Sequence, residues 1–190
     1  MAGETGTTGF FGKVPAVGDF VSWQLPPSFT DRWDRWMSGG LAEAPSVGAL
    51  DPRAWHFTVK RRLFGDAPVA GVWRMSEDRI GRRYPFVIVR LGPQPTADDP
   101  WFDACARLVR SSLEQAYEPA RIADEITRLP EPGRYLGPEA GEAIRFWLDD
   151  WEALELEFHD GMDLARRGLP DMRAERPEPA DAPPPMDDEA

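Results

Sequence analysis

What most narrows the fold of this chain is how closely its apolar runs follow one another. "PVAGVWRM" (Pro68–Met75) and "YPFVIVRL" (Tyr84–Leu91) are nearly continuous in apolar residues, and only the charged segment "SEDRIGRR" separates them. Runs of this kind read as inner strands, buried on both faces. A parallel pairing needs a crossover of about a dozen residues or more. The connection here is too tight for one, so the two strands are expected to be antiparallel.

Other segments extend this pattern. "GFFGKVP" and "GDFVSW" are short aromatic runs around Pro15-Ala16-Val17-Gly18, two strand pieces joined by a turn. "WHFTVKR" alternates Trp55, Phe57 and Val59 with His56, Thr58 and Lys60, the pattern of a strand with one wet face. In "PPSFTDRWDRWM", Phe29, Trp33, Trp36 and Met37 fall on one side of a helix that starts near Pro27 and weakens at Gly39-Gly40. Asp99-Pro100 supplies an N-cap and a first-turn proline for a second helix, with Trp101, Cys105, Leu108, Val109, Ser112, Leu113 and Ala116 as its stripe. "PARIADEITRL" after Pro119 predicts a third helix. A fourth, from Pro138, would carry Ile144, Trp147, Leu148, Trp151, Leu154 and Phe158 on one side. The predicted fold is α+β: a central antiparallel sheet of about five strands flanked by helices.

Composition limits function. The chain has 190 residues and a formal charge of −11, which disfavours nucleic acid and anionic lipid as partners. No apolar run reaches the length of a membrane span, and "MAGETGTTGFFG" lacks the features of a signal peptide, so a cytoplasmic location is expected. The single cysteine, Cys105, cannot form an internal disulfide. Residues 1–8 are expected to be a flexible N-terminus and 9–170 the folded body. Residues 171–190, rich in proline and acid, are expected to be a disordered tail.

The chemistry-bearing candidates are few. Lys13 follows Gly12, but a phosphate-binding loop would need Gly where Thr7 stands and Ser or Thr where Val14 stands. His56 occupies the polar phase of its strand. "HDGMD" (His159–Asp163) lacks a further convergent metal ligand, Cys105 sits in an apolar stripe, and Asp149-Asp150 reads as a solvated helix face. No catalytic constellation, metal site or cofactor site is predicted. Eight tryptophans and an arginine loop, Arg79, Arg82 and Arg83, stand out in an acidic chain. Those arginines could pair with Asp19 or Asp34, or receive an acidic partner. Gly18 is expected at positive φ, Asp19 as the counter-charge of Arg82 or Arg79, and Lys13 as an exposed charge.

"FFGKVPAVGDFV", "LPPSFTDRWDRWM" and "DRIGRRYPF", in that order, together resemble the bacterial type VI secretion-associated TagF/ImpM family. Members of that family carry Phe-Gly-Lys-x-Pro-x-x-Gly-Asp-Phe, a Leu-Pro…Trp-Asp-x-Trp helix and Gly-Arg-x-Tyr-Pro. The resemblance covers residues 9–91, with a weaker echo at "GLPD" (Gly168–Asp171). It implies a longin- or profilin-like sandwich. It also implies a non-catalytic regulator that restrains the secretion machine by binding its cytoplasmic forkhead-associated scaffold protein. The candidate partner-binding residues are then Phe11, Lys13, Asp19, Trp33, Trp36, Arg79, Arg82 and Tyr84. The alternative is a small ligand-binding or hydrolase-like domain with a pocket lined by Trp55, Trp73 and Trp147.

Overall fold

Strands dominate where apolar residues run with period two or without interruption, and in the computed structural model they assemble into one antiparallel sheet. The structure describes residues 6–43, 53–59, 61, 63–133, 144–147 and 154–156. The strands are β1 (Thr7–Lys13), β2 (Phe20–Trp23), β3 (Trp55–Val59), β4 (Val69–Glu77), β5 (Arg83–Leu91), β6 (Ile144–Trp147) and β7 (Leu154–Leu156). The helices are α1 (Pro27–Glu43), α2 (Pro100–Glu114) and α3 (Pro119–Ile126). Sheet order is β2-β1-β5-β4-β3-β6-β7. The two nearly continuous apolar runs, β4 and β5, pair in register from Val69 opposite Leu91 to Glu77 opposite Arg83. β1 begins at Thr7, inside the segment expected to be a flexible N-terminus. The expected tail, "HDGMD" and "GLPD" lie outside the described residues.

Alternation along each strand sends side chains to two separate cores. Under α1, Phe29, Trp33, Trp36 and Met37 pack on Phe11, Phe57, Trp73, Val87 and Phe146. Under α2 and α3, Trp101, Phe102, Cys105, Val109, Ile122 and Ile126 pack on Phe10, Val72, Phe86 and Ile88. The predicted helix faces are buried where the sequence periodicity put them, except Ala116, which is exposed and lies past the end of α2. α1 continues through Gly39-Gly40 to Glu43. The α2 cap forms as its sequence predicts: Asp99 accepts a hydrogen bond from the Trp101 N–H at 2.8 Å, with Pro100 in the first turn.

Two expectations are corrected. His56 has no wet face; it is buried, with its ring 5.6 Å from Phe102 and 5.5 Å from Trp147, because α2 covers that side of the sheet. The predicted fourth helix does not form at the described positions, where Ile144–Trp147 and Leu154–Leu156 are strands and extend the sheet to seven. Ile144, Arg145, Phe146 and Trp147 also fit period two, with Ile144 and Phe146 inside. Pairing here also satisfies backbone groups on the edge of β3 that a helix, bonded within itself, would leave open: Val59 pairs with Ile144 and His56 with Trp147.

Candidate functional site

The motif-bearing loops meet at one end of the sheet. β1 and β2 are joined by Val14–Asp19, and β4 and β5 by Asp78–Arg82. The second loop closes with Gly81 at φ 87°, a conformation that favours glycine, while the Asp78 N–H donates to the Arg82 carbonyl at 3.0 Å. The two loops are stitched together. The Arg79 N–H donates to the Val17 carbonyl at 3.1 Å, and Arg82 donates through Nη2 to the Gly18 carbonyl.

Asp78 is the hub of this clasp. Its carboxylate is buried and accepts four hydrogen bonds: from Lys13 Nζ at 2.9 Å, Arg82 Nε at 2.8 Å, the Ile80 N–H at 3.0 Å and the Arg82 N–H at 2.9 Å. Burial alone would raise the pKa of this carboxyl. The four donors outweigh burial and hold it well below the usual carboxylate range. Lys13 is itself buried, and its ammonium lies 5.1 Å from the centre of the Phe20 ring.

The expectations for this region change accordingly. Lys13 is a buried ion-pair partner, not an exposed charge. Asp19 is exposed and accepts the Phe20 N–H at 2.8 Å; the carboxylate that binds Arg82 is Asp78. Gly18 lies outside the left-handed region, and the β1 glycine that requires it is Gly12, at φ 128°. The reason is geometric: Gly12 is squeezed between Val21 and Phe86 across the ladder, whereas Gly18 sits in an open loop.

The aromatic candidates are buried. Trp33 and Trp36 are buried; Trp33 stacks on Phe57 at 5.2 Å and Trp36 on Phe146 at 5.9 Å. Phe11 and Tyr84 are buried too, with ring centres 6.0 Å apart and edge-on. Burial, reinforced by the charge of Asp34 on α1, pushes the Tyr84 hydroxyl far up. All three motifs meet in the core beneath α1: Phe11 from the first, Trp33 and Trp36 from the second, Tyr84 from the third. Of the candidate set, Asp19, Arg79 and Arg82 face solvent.

Sequence reasoning missed Asp78, Phe20 and Ile80. Asp78 had a signal, an aspartate three residues before Gly81 in a strand-connecting loop, the usual signature of a side chain that caps its own turn. The tryptophan pocket is not assembled either. Trp55 and Trp73 face the α1 core, and Trp147 packs on the opposite face against Phe102. A shallow cavity of about 390 Å³ lies elsewhere, between α2 and α3, lined in part by Leu108, Tyr117, Glu125 and Arg128. Among the described residues, no three of His, Cys, Asp and Glu are placed to hold a metal, and no helix is long and apolar enough to cross a membrane.

Residues 9–129 match the family described as the TagF N-terminal domain, type VI secretion system-associated. That match takes in β1 from Gly9 onward, β2 through β5 and all three helices, and stops before β6. No curated protein matches the chain. Among solved structures, the crystal structure of PA0076 from Pseudomonas aeruginosa PAO1 is similar, at 32% identity and a TM-score of 0.58. The similarity covers 67% of this chain and 64% of that one, so the chain spans less than two thirds of that protein's length. With all three motifs lying inside the matched span, the chain belongs to the TagF family of type VI secretion system-associated proteins.

Proposed function

We propose that the protein is a non-catalytic, cytoplasmic regulator of a type VI secretion system that acts by binding a forkhead-associated scaffold component of the apparatus. Family membership supports the association with secretion. The observation that carries the rest is the clasp itself. Asp78, Lys13 and Arg82, the strongest polar groups of the motifs, are spent on one another. Such groups hold two loops in fixed register and are not themselves available as acid or base in a reaction. The motifs then offer a partner a shaped surface instead of a reaction centre.

The test has two arms. Purified protein should capture the purified scaffold protein, and its overproduction should lower export by the secretion system in cells that carry it. It should also show no phosphatase, ATPase or esterase turnover above buffer. Failure to bind the scaffold, or a turnover abolished by one point substitution, would reject this reading.

A further inference from the structure

Phe20, 43% exposed, and Ile80, 65% exposed, are the large apolar side chains that stand open to solvent among the described residues, and both belong to the clasp. Gly18 links the two loops that carry them. A β-carbon placed on Gly18 would lie 3.8 Å from an Arg79 guanidinium nitrogen and 4.0 Å from Ile80 Cγ2, and Phe20 follows Gly18 by two residues. Phe20 is also held from beneath: its ring stacks on Phe11 at 5.5 Å and meets Tyr84 edge-on at 4.7 Å. A ring that is fixed yet half open offers contact area at little entropy cost.

The charge at this end departs from that of the whole chain. Asp78 is buried beneath Lys13 and Arg82, and Glu77 lies 3.6 Å from Arg83. Asp19 is the remaining carboxylate of the two loops. Arg79 forms no ion pair among the described residues, and the Arg82 side chain is 51% exposed. In a protein of net charge −11, the solvent side of the clasp thus presents arginines around two apolar side chains.

We propose that Phe20, Arg79, Ile80 and Arg82 form the docking surface for an acidic segment of a partner protein, one apolar side chain of which packs between Phe20 and Ile80. This rests on the protein-binding reading above. Carboxylates would take charge-assisted hydrogen bonds from the two guanidiniums, whereas a cationic segment would meet them without compensation. The surface is built in advance, since the bonds of Asp78 and the Val17 carbonyl fix the loop that carries Arg79 and Ile80.

Two probes test it on the full chain. The first is a synthetic peptide of glutamates around one leucine, with its lysine counterpart as control, titrated while the NMR signals of Phe20, Arg79 and Ile80 are followed. Saturable shifts confined to these residues, weakened by salt and absent with the lysine peptide, are expected. The double variant Arg79→Glu, Ile80→Ser should bind about tenfold more weakly with its thermal midpoint unchanged; Arg82 is left alone because it also holds Asp78. No shifts, equal shifts with both peptides, or unchanged affinity in the variant would overturn the proposal. Shifts that appear only after removal of residues 172–190 would overturn it too, by making the chain's own acidic segment the occupant. The second probe is the scaffold protein. If it fails to bind while the glutamate peptide docks, the scaffold assignment falls and the surface stands.

Discussion

Gly12 and Gly18 stand in the same opening segment, and the structure assigns them opposite sensitivities to alanine. At Gly12, φ is 128°, and an added β-carbon would lie 2.1 Å from the Pro85 carbonyl oxygen and 2.9 Å from the Phe86 Cα. Neither atom belongs to a side chain that could swing away, so β1 must part from β5 or abandon this conformation. Strain of that backbone class costs about 1–3 kcal/mol, and forcing atoms into a packed site costs about as much again. A loss of about 3 kcal/mol is a large share of the roughly 5–15 kcal/mol that holds a domain together. At about 2–4 °C per kcal/mol for a chain of this size, Gly12→Ala should lower the thermal midpoint by roughly 6–12 °C. At Gly18 the nearest atom would be 3.8 Å away, in ordinary contact, and φ is unremarkable. Gly18→Ala should change stability by no more than about 0.5 kcal/mol. Urea unfolding of both variants, followed by tryptophan fluorescence, measures the contrast. Equal losses, or a larger loss at Gly18, would refute the reasoning.

Two pH-dependent outcomes follow from the buried groups. The Asp78 carboxyl titrates near 3.8 when unfolded and well below that when folded, so its contribution is present above about pH 4 and lost as pH falls below it; Asp78→Asn should lower stability at pH 7 and flatten the acid limb of a stability profile from pH 2 to 5. The Tyr84 hydroxyl, ordinarily near 10.0, is raised first by burial and then by Asp34, so stability is intact below pH 10 and falls above it. Tyr84→Phe should remove part of that alkaline loss, read as denaturant midpoints at pH 8 and pH 11.

The legible parts of the fold were those set by local pattern. The Asp99-Pro100 cap, the α1 face through Trp33 and Met37, and the central β4–β5 pair each depend on residues close in sequence. What failed depended on distant surroundings. Ile144 to Trp147 carry apolar residues at spacings that suit a helix or a strand, and the open edge of β3 decides between them. His56 alternates like a surface residue and is buried because α2, more than forty residues later, covers it. At the site, the sequence reading identified the loops and misassigned the charges. Asp19 and Asp78 are both aspartates near arginines, and only the register that brings the end of β1 beside the β4–β5 loop selects Asp78 as the partner of Lys13.

That selection links the interior of the clasp to its outer surface. Lys13 closes β1, Asp78 opens the arginine loop, and their contact spans 65 positions of sequence, so it ties together segments that could otherwise shift independently. A buried ion pair is a weak source of net stability, but a slip of register here would leave a charge unpaired away from water, which is costly. The backbone N–H of Ile80 is bound by the same carboxylate, and that of Arg79 by the facing loop. Arg79 and Ile80 therefore owe their outward position to polar contacts beneath them. Phe20 owes its position to the aromatic contacts with Phe11 and Tyr84. A partner that meets this surface need not order the loops first; that saving in conformational entropy adds to affinity, and discrimination comes from the arginines, which favour an acidic segment over a basic one.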